Sequence, residues 1–335
     1  MAQCRVDKTN SENQAGHLLE PRAGAVLTAV DLGSNSFYLM QGRMTGDRLT
    51  VTRRLRQSVR LVAGVDAGGA LDPARQKQAF DCLERFGEIT RSLAGESVHA
   101  VATSAVRRLT RPQEFLQRAS MLLGQPIEVI DGLQEGRLIW LGASGALPAV
   151  PVRRLIVDIG GGSTECIVGR SRQAEHVASI DIGCIVSCRA FFADGRITAQ
   201  RWQQAQQSLQ AEIEPHRAPL QAHGWEQAWG TSGSARAIGA IVRALGTATE
   251  GITAAAVADL RRRLLEAGHV DHLDLPELSR NGSQVIAGTV AVLEALFEVL
   301  DLDHIALCDA AMREGILRAL ATRARDAAQS AGAAG

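Results

Sequence analysis

Two segments constrain this chain more than anything else in it. Residues 25–32 (AVLTAVDL) form a continuous apolar run that ends in Asp31-Leu32 and breaks into Gly33-Ser34-Asn35-Ser36. The segment RRLIVDIGGGSTECIVGR repeats that design, with Asp158 at the end of an apolar run and Gly160-Gly161-Gly162-Ser163-Thr164 after it. Asp158 lies 127 residues after Asp31, about one domain length. A duplication at that period predicts two similar α/β domains facing each other, because a solenoid would repeat every 20–50 residues or so. The length of 335 residues, at about 150 per domain, allows the same two.

The rest of the periodicity fits around these segments. In the first half, FYLMQGRM and RLTVTRRL read as two further strands, and Asp72-Pro73 opens a helix over about 73–94. A strand over 98–106, a helix over 112–123, a strand over 126–130 and a helix over 133–144 follow. The two prolines of 145–152 (GALPAVPV) mark a linker and hinge. In the second half, helices are expected near 184–192, 198–214, 254–267 and 284–300, and one from Ser234. Strands are expected at QAWG and HIALCD, with a last helix to about Arg325. The domains so predicted span 23–146 and 147–325, between a polar tail at 1–22 and a frayed end at 326–335; the last helix is free to pack back on the first domain.

Composition excludes whole classes of partner. Lys+Arg and Asp+Glu are both 36, so no global field holds nucleic acid or an anionic membrane, and any anion site must be local. Only Lys8 and Lys77 are lysines, a bias that a GC-rich genome explains. No apolar run reaches the length of about twenty residues that spans a bilayer, and no charged-then-apolar leader opens the chain. The six cysteines lack a CxxC pair; they read as reduced thiols of a cytoplasmic protein. Cys184 and Cys188, and likewise His269 and His272, have no partners at zinc spacing, so no metal site is expected there.

The chemistry sits in the repeated loops. Glycines let successive backbone N–H groups converge on one anion, and Ser34, Ser36, Ser163 and Thr164 add hydroxyl donors. An aspartate beside each loop repels a naked phosphate, so its use is to hold a divalent cation or order a water. A third loop, Gly230-Thr231-Ser232-Gly233-Ser234-Ala235-Arg236, joins a strand to a helix and offers a further anion seat at the helix N-terminus.

Six ordered motifs, DLGSNSF, ATSAVRR, IDGLQEGRLIW, DIGGGSTE, GTSGSARA and CDAAMREGIL, resemble the exopolyphosphatase and guanosine-pentaphosphate phosphohydrolase family. The resemblance covers residues 25–320 and matches the short, two-domain form. It implies two ribonuclease-H-like domains of the actin-like superfamily, an active site in the interdomain cleft, dependence on Mg2+, and hydrolysis of inorganic polyphosphate or guanosine pentaphosphate (pppGpp). Family members often pair as homodimers; nucleic acid and membrane are not implied partners.

Carried over by position, the resemblance makes Glu135 the water-activating carboxylate and Asp158 and Glu165 the acidic pair, with Asp31, Asp158 and Glu165 toward the metal. Gly33, Ser34, Asn35, Ser36, Gly160, Gly161, Gly162, Ser163, Thr164, Gly233 and Ser234 would bind phosphate together with Arg107, while Arg108 and Arg111 are expected to face water. Gln134 stands where the family often has glutamate. The family's Arg-Ala-Asp segment is replaced by Gly282-Ser283-Gln284, with Arg280 just upstream as a substitute. Polyphosphate hydrolysis is thus the leading expectation, with pppGpp hydrolysis and a non-catalytic polyphosphate or nucleotide sensor as rivals; a kinase is weaker, since no acceptor pocket is legible.

Overall fold

The computed structural model describes residues 25–66 and 68–333; the tail expected at 1–22 lies outside the described residues. The first sheet contains β1 (Leu27–Leu32), β2 (Ser36–Thr45), β3 (Arg48–Ser58), β4 (Val98–Ala102) and β5 (Ile127–Val129) in the order β3-β2-β1-β4-β5. The second contains β6 (Arg153–Ile159), β7 (Thr164–Arg170), β8 (Gln173–Ile180), β9 (Gln227–Gly230), β10 (Ile252–Thr253) and β11 (His304–Leu307) in the order β10-β11-β9-β6-β7-β8. In each, a three-strand antiparallel meander is extended by two parallel strands. The duplication is therefore one of topology. It extends to register: Asp31, Tyr38 and Arg56 stand side by side across β1, β2 and β3, and Asp158, Glu165 and Ser179 across β6, β7 and β8.

The helices are α1 (Pro73–Thr90), α2 (Ser104–Arg107), α3 (Pro112–Leu123), α4 (Gly132–Ser144), α5 (Cys184–Phe191), α6 (Ala199–His223), α7 (Ser232–Ala244), α8 (Ala254–Ala267), α9 (Arg280–Ser283), α10 (Ile286–Leu300) and α11 (Met312–Ala333). Asp72 caps α1 by accepting from the Arg75 amide at 2.9 Å, with Pro73 in the first turn. α10 is apolar nearly all round and is buried among α5, α6 and α8.

Three boundaries differ from expectation. β4 stops at Ala102, and Ser104, Ala105 and Val106 form the buried helical turn α2; an apolar run alone does not separate a buried strand from a buried turn. α6 continues through Pro215 and Pro219 because its buried stripe, Leu209, Ile213 and Leu220, keeps helical spacing across both and outweighs the lost hydrogen bonds. α11 runs to Ala333 instead of ending near Arg325, carried by alanines of high helix propensity.

α4 and α11 bind the two sheets together. α4 packs on β7 and β8, with Gly136 against Val177 and Ile167, while α11 packs on β1 and β2. Each helix thus lies on the sheet of the opposite half. They cross at Gly142 and Gly315, so closely that a methyl on Gly142 would overlap the Ala311 carbonyl oxygen and one on Gly315 the Leu138 carbonyl oxygen. Arg318 of α11 adds a strap, donating to the carbonyls of Asp47 at 2.9 Å and Gly145 at 2.7 Å. Arg154 donates to the Pro148 carbonyl at 2.7 Å, so the segment 145–152 is tied at two points.

Gly315→Ala is expected to lower stability by about 1–3 kcal/mol, the range for an overpacked core, because the obstacle is backbone on both helices. Gly233→Ala is the control, since its Cβ would meet nothing within 4 Å. Urea midpoints measure both; equal midpoints for wild type and Gly315→Ala would show that the crossing has slack.

Candidate active site

A cleft of about 470 Å³ opens between the two sheets, lined by both glycine loops, the start of α4, the start of α7 and the start of α11. Loop 1 (Gly33, Ser34, Asn35) and loop 2 (Gly160, Gly161, Gly162, Ser163) follow β1 and β6. Their carbonyls are already bonded: those of Ser34 and Asn35 accept from Val62, Val59 and Arg60, and those of Gly160 and Gly161 from the amides opening α5. The amides of Ser34, Asn35, Gly161 and Gly162 donate to no protein acceptor among the described residues. Loops with occupied acceptors and unspent donors are seats for an anion.

The loops also touch each other. A Cβ on Gly161 would stand 2.9 Å from Ser34 Cβ, one on Gly162 would stand 2.7 Å from Ser104 Oγ, and Ser34 and Ser104 share a hydroxyl bond of 3.1 Å. Glycine is needed at 161 and 162 because the other half of the molecule occupies the space a side chain would take.

The floor is acidic. Asp31, Asp158, Glu135 and Glu165 stand close enough to perturb one another. Burial pushes the Asp31 carboxyl up to about 6, with Asp158 and Glu314 adding to the rise and Arg313 opposing it. Burial, then the charge of Asp158, pushes Glu165 up to about 8 against the hydrogen bonds of Ser179 and Ser163. Glu135 is raised well above the ordinary carboxylate range by burial and by Glu165, Asp31 and Asp158, with Arg107 opposing. Asp158 is raised by burial and steadied by Thr231 Oγ1, which donates at 2.5 Å. Asp31 Oδ1 and Glu135 Oε2 are buried without a partner among the described residues.

Local structure explains how Glu135 arrives there. Asp131 caps α4 by accepting from the Gln134 amide at 2.7 Å, and Gln134 Oε1 accepts in return from the Asp131 amide at 2.9 Å. Glutamine serves that capping box as well as glutamate does, so the departure at Gln134 leaves Glu135 in place. A side chain at Gly132 would collide with Ser179, so the first turn of α4 sits directly on the Asp158-Glu165-Ser179 row.

Cations and donors lie around this floor. α7 presents Ser232, Gly233 and Ser234 at its N-terminus, with Arg236 beside them. Arg313, in the first turn of α11, stacks its guanidinium 3.8 Å from the Tyr38 ring centroid and reaches within 3.9 Å of Asp31 Oδ2. Arg56 covers Tyr38 at 5.7 Å and donates to Ser36 Oγ at 3.2 Å.

Of the residues expected at the site, Asp31, Gly33, Ser34, Asn35, Ser36, Glu135, Asp158, Gly160, Gly161, Ser163, Gly233 and Ser234 line one cleft. Four are not among its lining residues: Thr164, Gly162 and Glu165 stand behind it, and Arg107 is exposed to one side. Thr164 Oγ1 donates to the Ile182 carbonyl at 2.7 Å, which withdraws it as a phosphate donor. Gly162 abuts Ser104, and Glu165 is buried under Ser179. Arg107 donates to the Ile130 carbonyl, and its charge reaches Glu135 and Glu165 from the side. Arg108 is exposed, as expected, and in addition donates to the Gly162 carbonyl of the opposite half at 3.2 Å and pairs with Asp181 at 3.5 Å. Arg111 is exposed and pairs with Glu114 at 3.6 Å. In the segment that departs from the family pattern, Gly282 lines the cleft and Gln284 accepts from Arg60 at 2.9 Å, while the Arg280 side chain lies outside the described residues. Sequence reading missed Tyr38 and Arg313, although Arg313 stands inside CDAAMREGIL and Tyr38 is the chain's one tyrosine.

Solved structures share this architecture. An exopolyphosphatase from Cytophaga hutchinsonii is 21% identical with a TM-score of 0.79, over 89% of this chain and 98% of that one. A Ppx/GppA enzyme from Aquifex aeolicus is 22% identical with a TM-score of 0.72, over 88% and 99%. At such identity the likeness establishes the fold: two actin-like, ribonuclease-H-like domains with the cleft between them. The model of the Ppx/GppA phosphatase family matches residues 42–324, a span that holds the whole second sheet, β3, β4, β5 and the end of β2 in the first, and every carboxylate of the floor except Asp31. The chain belongs to the Ppx/GppA phosphatase family.

Proposed function

We propose that this phosphatase is a hydrolase that removes the terminal phosphate of inorganic polyphosphate with water held by Glu135 and with Mg2+ as cofactor. The observation that carries the reading is the buried, unpartnered Glu135 Oε2, placed between two loops whose amides are unspent. Those amides and the start of α7 bind the terminal phosphate. Glu135 accepts a proton as the water oxygen attacks phosphorus, the bridging P–O bond breaks, and a shortened chain and inorganic phosphate leave. Arg313 keeps Asp31 in place and offsets part of its charge.

The donor set fits a hard divalent cation. Asp31 Oδ1 has no partner, and carboxylates crowd a buried floor where like charges oppose ionisation. Among the described residues no three ligating side chains converge tightly enough to cage a metal. Mg2+ needs no such cage, because it keeps waters and substrate phosphate in its coordination shell; Asp31 and Asp158 would hold it, with Glu165 behind. When bound it supplies charge that offsets the phosphate and favours the ionised carboxylates.

Polyphosphate is favoured over pppGpp by Tyr38. It is the one aromatic residue among those lining the cleft, and the guanidinia of Arg313 and Arg56 cover it. A guanine base would forgo stacking worth about 1–3 kcal/mol.

Purified protein with Mg2+ should release phosphate from long polyphosphate faster than from pppGpp or ATP. Preference for pppGpp would transfer the reading to that substrate, and release from none would leave a sensor. Glu135→Gln should lower turnover by about two to four orders of magnitude with affinity held within a few-fold. A variant keeping a tenth of the rate would sink the assignment.

The floor also predicts how metal-free stability depends on pH. Asp31 at about 6 and Glu165 at about 8 bind protons more tightly folded than unfolded. Their contribution is complete below about pH 4 and is lost as pH rises through those values, so stability falls across that window. In chelator, Glu165→Gln should lose much less of its urea midpoint between pH 5 and 8.5 than wild type does; parallel losses would refute the coupling.

A further inference from the structure

The outer strand of the first sheet has a composition that the cleft does not explain. β3 carries Arg48, Arg53, Arg54 and Arg56 and no carboxylate, and residues 52–56 are all exposed. Among the described residues its one strand neighbour is β2, which leaves its other edge without a strand partner. Arg48 and Arg53 form no ion pair among the described residues, and Arg54 is 64% exposed beside Glu314 at 3.6 Å. Asp47 at the far end pairs with Arg172 at 3.3 Å.

The strand is aimed at the cleft. β1 delivers Asp31 to the cleft at its C-terminal end, β2 runs back from there, and β3 returns to it, so Arg56 lines the cleft while Arg48 stands at the opposite end. At about 3.4 Å per residue, the eight steps from Arg56 to Arg48 cover roughly 27 Å. The register places Arg54 and Arg56 on the Tyr38 face and, with an irregularity at Thr52, Arg48 and Arg53 on the opposite face, so the guanidinia flank the free edge from both sides. An exposed edge flanked in this way over that length matches a linear polyanion with a charge on every unit. We infer that β3 is the track for the distal part of a polyphosphate chain whose terminal phosphate lies in the cleft; this deepens the proposed function and rests on it. Edge-strand charges also guard against edge-to-edge pairing, but that duty needs no continuity with a cleft. A second copy of the chain is disfavoured, because pairing β3 with itself would bring eight arginines together.

The test replaces Arg48 and Arg53 by glutamine together, leaving Arg54 and Arg56 untouched. Steady-state phosphate release is measured with tripolyphosphate, too short to extend far past Arg56, and with chains of about a hundred phosphates, each across a salt series. For tripolyphosphate, kcat and KM should stay within two-fold of wild type. For long chains KM should rise about ten-fold with kcat unchanged, and the slope of log KM against log salt should shrink by roughly 0.7–0.9 for each contact removed. Unchanged long-chain KM and salt slope in a variant of normal melting temperature would overturn the track alone. Equal losses on both substrates would overturn it too, since a track is distinguished by chain length. Wild type that binds and cleaves neither polyphosphate but cleaves pppGpp would overturn the proposed function, and the track with it.

Discussion

The crossing of α4 and α11 at Gly142 and Gly315 is the contact on which the rest of the molecule depends. Backbone meets backbone there, so the separation of the two helices is set by atoms that cannot change rotamer. α4 begins with Glu135 two turns before the crossing, and α11 begins with Arg313 just before it. Each helix lies on the sheet of the opposite half, so the same contact fixes the two halves and brings the carboxylate and the guanidinium to one cleft. Looser packing would move both groups at once, and placement to within an ångström is what such chemistry requires.

Within that frame the duplicated halves have diverged at one row of the sheet. Tyr38 and Glu165 occupy the same register beside their aspartates, 127 residues apart. In the first half the row continues to Arg56 and gives a cation-covered ring; in the second it continues to Ser179, which donates to Glu165 Oε1 at 2.9 Å. One half thus contributes positive charge and the other a buried acid, from the same backbone position. The asymmetry gives the cleft a direction, with arginines on one side and acids on the other; in the proposed function an anionic chain would enter past the first and end at the second.

Much of this was legible in the chain itself. The two apolar runs, each ending in aspartate and then glycines, could be strands only if the glycines turned the chain, and the repeat then dictated a second domain of the same topology. The place of Glu135 in the cleft was legible through its motif, whereas the capping box that Gln134 completes with Asp131 emerged only in the structure. Thr164 misled because a hydroxyl beside a glycine loop looks available, and only three dimensions show the Ile182 carbonyl that takes it. The exposure of Arg108 was legible, but its bond to Gly162 was not, because that partner lies 54 residues away in the opposite half. Arg313 and Tyr38 were hidden because each matters through the other, across 275 residues of sequence.

A floor of four carboxylates is an unexpected place for the phosphate of the proposed reaction, and the charge balance accounts for how it could serve. Each acid is buried, and burial raises its pKa, so without a cation the floor carries fewer than four negative charges near neutral pH. That state is a poor base. In the proposed reaction a cation entering with the substrate would draw the carboxylates, Glu135 among them, toward ionisation. A chain with 36 acidic and 36 basic residues cannot attract a polyanion by its overall field. Arginines placed at the cleft and acids confined to its buried floor separate the two signs of charge by position, which is what the proposed function requires of a chain without net charge.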